Sequence, residues 1–264
     1  MFNTSLPLSD RGLHYGDGLF ETLAVKSGRV RLLPRHLHRL SDGAARLAIP
    51  LPDLSSLDAA LQDAGRALGE GVLKLIVTRG SGGRGYAPPE NAEPMLILLR
   101  YPQTLPTQDD AKNGIVLRLC TQRLARQPVL AGMKHLNRLE YVLARAEWRD
   151  SYIAEGLLLD TQGELIEAVS SNVFIVKGGR VVTPCLDQCG VAGVMRAEVL
   201  VCAGRLGLET EEGRLSLDDV LAADEVFLTN SLHGIRKVRA LQGYREWAQG
   251  TWVVRLQQAL WSGL

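Results

Sequence analysis

Lysine is the scarce basic residue of this chain. Among 30 lysines and arginines only six are lysine: Lys26, Lys74, Lys112, Lys134, Lys177 and Lys237. Chemistry that needs a primary amine therefore has few places to reside. No apolar stretch reaches the roughly 20 residues of a membrane span. The opening MFNTSLPLSDRGLHYG has no basic segment followed by an apolar run. No secretory signal is expected, and the expected location is the cytoplasm. A charge excess is missing too, with 30 basic against 29 acidic residues, a net charge of +1 and no basic block. Nothing in bulk charge points to nucleic acid or a membrane surface as partner. The four cysteines, Cys120, Cys185, Cys189 and Cys202, are expected to be free thiols in a cytosolic chain. Cys185 and Cys189 lack the second pair or nearby histidine that would complete four zinc ligands, so no metal site is expected.

What is present is a chain of 264 residues, 46% apolar, enough to bury one large core or two packed lobes. Strands are expected at 19–26 and 29–33 around a Lys26-Ser27-Gly28 turn, then a helix 35–47 opened by Pro34, with Leu37, Leu40, Ala44 and Leu47 at helical spacing. A second helix is expected at 54–68 and strands at 72–79 and 95–101, the latter two separated by Gly80-Ser81-Gly82-Gly83-Arg84-Gly85. The polar, proline-bearing stretch 101–114 reads as a linker. Beyond it come a strand at 115–122 and a helix at 135–149, with Leu136, Leu139, Leu143 and Ala146 on one side. Two hairpins follow, 155–160 with 164–170 and 173–177 with 180–183, turned by Gln162-Gly163 and Gly178-Gly179. Helices at 194–206 and 216–222, a strand at 225–229 and a final helix near 244–260 complete an α+β pattern in two lobes.

Several residues could carry chemistry. Lys134 stands among small and apolar neighbours in Leu130-Ala131-Gly132-Met133-Lys134-His135. Burial there would favour a neutral amine, which can form a Schiff base with an aldehyde and later act as a base. A surface lysine at a helix start would have the same local sequence. Glu167 sits in the apolar run Leu165-Ile166-Glu167-Ala168-Val169. A carboxylate buried there needs a partner, such as a protonated pyridine nitrogen. An outward-facing strand residue is the alternative. Gly190-Val191-Ala192-Gly193-Val194-Met195-Arg196 leads into a helix whose first N–H groups could bind phosphate, although a plain glycine loop reads the same way. Arg39 could add a cationic fork and Ser231 a hydroxyl, or they could be a solvated arginine and a turn cap. The glycine-rich Gly80–Gly85 loop lacks the spacing of a nucleotide loop and is followed by Pro88-Pro89, not by a helix. His36 and His38, two apart, point to different sides of a helix and cannot share a metal.

Taken together these segments resemble the fold-type IV pyridoxal-phosphate enzymes. The resemblance rests on His14-Tyr15-Gly16-Asp17-Gly18-Leu19-Phe20-Glu21-Thr22, on Arg79-Gly80-Ser81-Gly82-Gly83-Arg84-Gly85-Tyr86, on Leu130 to Glu140 and on Leu186-Asp187-Gln188-Cys189-Gly190-Val191-Ala192-Gly193-Val194-Met195-Arg196. That family includes branched-chain aminotransferases, D-amino-acid transaminases and aminodeoxychorismate lyases, and the similarity is closest to the lyases. It implies a smaller N-terminal α/β lobe, 1–105, and a larger barrel-like C-terminal α/β lobe, 106–264, in a homodimer. It implies pyridoxal 5′-phosphate as cofactor, with Lys134 as the Schiff-base lysine and Glu167 at the pyridine nitrogen. Arg39, Ser231 and the backbone of Val194 and Met195 would hold the phosphate. The lyase activity it implies converts 4-amino-4-deoxychorismate to 4-aminobenzoate and pyruvate. Arg84 and Arg138 are the candidates for the substrate carboxylates. An aminotransferase would use the same lysine, acid and phosphate contacts, and a cofactor-free interaction module on the same scaffold is the reading outside enzymology.

Overall fold

The computed structural model describes residues 1–107, 113–248 and 250–262. Lys112 and part of the expected linker lie outside the described residues. The chain divides into two compact units, Met1–Leu105 together with Met133–Arg138, and Pro106–Gly132 together with Leu139–Leu264.

In the first unit, Asp10 caps a short helix α1 (Arg11–Tyr15) by accepting from the Gly12 and Leu13 N–H groups. Strand β1 (Gly18–Lys26) turns through Ser27 and Gly28, both at positive φ, into β2 (Arg29–Val30). That strand is shorter than expected, because Leu32 takes a left-handed conformation and starts α2 (Leu33–Leu47). Helix α2 buries Leu33, Leu37, Leu40 and Ala44, and α3 (Leu54–Leu68) is capped by Asp53. Strands β3 (Gly71–Thr78) and β4 (Met95–Pro102) complete an antiparallel sheet of order β2-β1-β3-β4. The start of β1 has a further neighbour. Phe20 N–H donates to the Lys134 carbonyl at 3.0 Å and Leu136 N–H donates to the Gly18 carbonyl at 2.9 Å. Residues 133–138 thereby belong to this unit although 27 residues of the second unit, Pro106–Gly132, precede them in sequence.

The second unit opens with β5 (Ile115–Leu124), followed by α4 (Leu139–Arg145), β6 (Ile153–Asp160), β7 (Leu165–Ala168), β8 (Asn172–Lys177) and β9 (Arg180–Pro184). Then come α5 (Val194–Arg205), β10 (Thr210–Gly213), α6 (Leu217–Ala222), β11 (Glu225–Asn230), β12 (Gly234–Leu241), β13 (Arg245–Glu246) and α7 (Trp252–Ser262). The sheet runs β10-β9-β8-β11-β12-β5-β6-β7, with β13 on β12. Strand β7, at one end of this order, also packs against β8 and β9, so the sheet curls on itself like part of a barrel. Its interior holds Leu117, Leu157, Val173, Val226 and Leu228, and Phe174 stacks on Phe227 at 4.9 Å between centroids.

Two expectations need correction. The helix expected at 135–149 covers only Leu139–Arg145, because Lys134–Leu136 is drawn into extended pairing with β1. Its buried residue is Ala144, while Leu139 and Leu143 of the expected apolar stripe are exposed. The helix expected from 244 begins only at Trp252, and strands β10, β12 and β13 were not expected. Among the described residues no helix is long and apolar enough to cross a membrane, and no cluster of three metal-ligating side chains occurs. His36 is buried and His38 exposed, pairing with Asp42 at 3.2 Å.

Candidate active site

The residues singled out from sequence fall into both units. Lys134, Arg39, Arg84 and Arg138 lie in the first, and Glu167, Val194, Met195 and Ser231 in the second.

In the first unit, extended pairing with β1 flanks His135 and fixes the backbone immediately after the Lys134 side chain. Its Nζ, half-buried, lies 4.4 Å from the centre of the Phe20 ring. Arg138 braces the same segment, donating from Nε to the His135 carbonyl at 2.9 Å. Burial, and then the nearby Arg138 charge, push His135 down to about 4, so it is neutral around pH 7. Its Nδ1 is buried and finds no hydrogen-bond partner among the described residues. Arg39 is held by a carboxylate that sequence reading missed. Glu21 accepts from Arg39 Nε at 2.8 Å and from Nη2 at 2.5 Å, and lies 2.6 Å from His36 Nδ1. Arg84 is exposed in the loop between β3 and β4. That loop is pinned instead by Arg11, which donates to the carbonyls of Gly85, Tyr86 and Ala87.

In the second unit, Glu167 is 3% exposed on β7, so the outward-facing alternative is wrong. Its carboxylate accepts from the Tyr141 hydroxyl at 2.6 Å, the Asn172 amide at 3.2 Å and the Val191 N–H at 3.1 Å. These donors help hold the buried carboxylate in one orientation. The loop after Glu167's hairpins turns through Gly190, at φ +86°, and Gly132 pairs with it in both directions. Gly132 N–H donates to the Gly190 carbonyl and Ala192 N–H to the Gly132 carbonyl, each at 2.9 Å. The loop ends at Gly193, the N-cap of α5. No side chain caps this helix among the described residues, and Val194 and Met195 are buried. The first N–H groups of a helix have no intrahelical acceptor, so this end is suited to an anion. Ser231 follows β11 in a turn shaped by Asn230, whose Oδ1 accepts from the Leu232 and His233 N–H groups. Thr229 Oγ1, two residues earlier, is buried without a partner among the described residues.

The family profile described as "Amino-transferase class IV" matches residues 18–241. The chain belongs to the class IV aminotransferase family. An aminodeoxychorismate lyase of Vibrio harveyi is 37% identical over 239 residues, 90% of this chain and 88% of the relative. A putative branched-chain-amino-acid aminotransferase of Methanocaldococcus jannaschii is 33% identical over 89% of this chain and 82% of the relative. The crystal structure of 4-amino-4-deoxychorismate lyase from Pseudomonas aeruginosa is 51% identical, with a TM-score of 0.95, covering 99% of this chain and 96% of that one. The class IV family is one of pyridoxal-phosphate enzymes. The second unit fits such a group on its own terms, with an acid for a ring nitrogen at Glu167, an uncapped helix end for a phosphate and an unpartnered buried hydroxyl at Thr229.

Sequence reading missed Tyr141, Asn172 and Glu21, each of which meets its partner across the fold. Only Asn172 left a signal, a polar amide at the head of the apolar run Val173-Phe174-Ile175-Val176.

Proposed function

We propose that this chain is a pyridoxal-phosphate lyase that converts 4-amino-4-deoxychorismate to 4-aminobenzoate and pyruvate. The observation that carries the reading is the 51% identity, over nearly the whole chain, to a solved lyase of that name. Pyridoxal phosphate, when bound, supplies an electron sink for a C–H bond broken beside an amine. The Lys134 Nζ anchors the cofactor and, once released, takes the proton from C4 of the substrate ring. Cleavage of the C–O bond on the adjacent carbon releases the enolpyruvyl group, which gains a proton and becomes pyruvate while the ring becomes aromatic. Glu167 holds a proton at the pyridine nitrogen. The Val194 and Met195 N–H groups, Arg39 and the Ser231 hydroxyl hold the phosphate. Arg84 and Arg138 are proposed for the two substrate carboxylates. The same reading makes the protein a cytoplasmic homodimer with a small-molecule substrate.

Borohydride reduction of the purified protein with cofactor, followed by peptide mapping, is expected to label Lys134. Incubation with the substrate is expected to yield 4-aminobenzoate, and Lys134→Ala to abolish both results. A label on another lysine overturns the site. Turnover of a branched-chain or D-amino acid with 2-oxoglutarate, without 4-aminobenzoate, replaces the lyase by an aminotransferase, the activity in the name of the Methanocaldococcus relative to which this chain is 33% identical. A colourless protein unchanged by borohydride is the result expected of a cofactor-free module.

A further inference from the structure

Asn172 is buried at 6% exposure where two parts of the second unit meet. Its Nδ2 donates to Glu167 Oε2 at 3.2 Å and to the Val191 carbonyl at 2.8 Å. Val191 N–H returns to the same Glu167 oxygen at 3.1 Å, so strand β7 and the loop leading to α5 are tied twice. The other face of the amide lies against Gly193, the N-cap of α5. A Cβ on Gly193 would come within 1.9 Å of Asn172 Oδ1. The backbone there, at φ −66°, would accept any residue, so what excludes a side chain is the Asn172 amide and not local conformation.

One side chain therefore touches both the carboxylate and the start of the helix. A packed amide with both hydrogens directed at acceptors has one orientation available. Moving it would move Glu167 relative to the Val194 and Met195 N–H groups. We infer that Asn172 is a positioning residue that sets the span between the Glu167 carboxylate and the N-terminus of α5, and so selects ligands carrying a basic aromatic nitrogen and a phosphate ester at that separation. This rests on the reading of Glu167 and α5 under Proposed function. Asn172 acts through those groups and is not assigned a contact with the ligand.

The test uses 4-deoxypyridoxine 5′-phosphate, which keeps the ring nitrogen and phosphate but has no aldehyde, so Lys134 forms no bond to it. Its affinity for the full-length protein is measured by calorimetry, and that of inorganic phosphate by competition. Asn172→Asp keeps the shape and replaces the donor by an acceptor, and Asn172→Ala removes both. Each is expected to weaken the two-ended ligand by roughly 10-fold or more, because the carboxylate no longer stands at a fixed span from α5. Inorganic phosphate, which does not sense the span, is expected to bind as in wild type. The absorption maximum of bound pyridoxal phosphate is expected to shift, as Glu167 is released. Asn172→Ser, which keeps a donor but is too short to reach both Glu167 and the Val191 carbonyl, is expected to give the same selective loss and serves where the other two variants misfold. Parallel loss of both ligands, or loss of neither, overturns the inference. Failure of the wild type to bind the two-ended ligand or to be labelled at Lys134 overturns the underlying reading instead.

Discussion

Glu21 grips Arg39 with both carboxylate oxygens, Oε1 on Nε at 2.8 Å and Oε2 on Nη2 at 2.5 Å, with His36 Nδ1 on Oε2 at 2.6 Å. Burial raises the Glu21 pKa, but the Arg39 charge and the His36 and Arg39 hydrogen bonds outweigh it and hold the group at about 2, against an ordinary 4.5. A carboxyl with a depressed folded-state pKa contributes stability that is fully present above its unfolded value and lost as pH falls through the folded one. The window here is about 4.5 down to about 2. Glu21→Gln breaks a buried ion pair and is expected to cost roughly 3–5 kcal/mol at pH 7. Urea unfolding at pH 7 and pH 3 checks both points, since the gap between wild type and variant should narrow at the lower pH. An equal gap at both pH values would show that the carboxylate charge is not what holds Arg39.

Gly190 is the second point of sensitivity. It sits at φ +86°, and a Cβ there would come within 2.7 Å of Ile166 Cγ2 and 2.9 Å of Leu186 Cδ2. Gly190→Ala therefore combines overpacking, about 1–3 kcal/mol, with a left-handed backbone that disfavours a side chain. Thermal unfolding of the cofactor-free protein should show a lower Tm. Phosphate affinity should fall with it, because the same loop delivers Gly193 to the head of α5. An unchanged Tm would mean that Ile166 and Leu186 can move aside freely.

What the sequence made legible divides along the range of the interactions. Helix α3 is bounded by its Asp53 cap and its own apolar spacing, and the β8–β9 hairpin by Gly178-Gly179, so both were readable from neighbouring residues. Glu167 was not decided by its neighbours, since an acid in a strand can face in or out, and only the family resemblance favoured the buried position that the structure shows. Lys134 was singled out, but its backbone setting was misread. The leucines at 136, 139 and 143 keep helical spacing, but β1, more than a hundred residues earlier, holds Lys134–Leu136 extended, so the helix starts only at Leu139. The partners of the site residues were hidden for the same reason. Glu21 and Arg39 are 18 residues apart and Tyr141 and Glu167 are 26 apart, and no local pattern joins either pair.

The cysteines should differ sharply in reactivity. All four are free, but Cys120 and Cys189 are buried and Cys185 only half-buried. Burial, reinforced by Glu147 beside Cys120 and by Asp160 and Glu167 beside Cys189, pushes both thiols up to about 12. At pH 8 their thiolate fraction is then on the order of one in ten thousand, and the thiolate is the species that alkylates. Iodoacetamide labelling followed by mass mapping should modify Cys185 first and leave Cys120 and Cys189 intact until urea unfolds the protein. Early modification of Cys120 would show that the β5 region opens well below global unfolding.

Two histidines should govern stability in mild acid. His135 is pushed down to about 4 by burial and Arg138, and His233 to about 4 by burial and Arg236, each from an ordinary 6.5. Between pH 6.5 and about 4 the unfolded chain binds protons that the folded chain does not, so stability rises with pH across that window and falls as acid is added. The sign is the same as for Glu21, but the cause is opposite, since here the folded state excludes a charge that it would otherwise have to bury. The two windows also differ, because the histidine loss is nearly complete near pH 4, where that of Glu21 is only beginning. His135→Asn is expected to remove about half of the slope between pH 6.5 and 4, and the double variant with His233→Asn most of it, measured as the change in unfolding free energy across that range. The histidines lie in different units, so their effects should add to within about 0.5 kcal/mol. A slope unaltered by the double variant would mean that both rings charge in the folded protein near their ordinary value, and that His135 does not stand neutral beside Lys134.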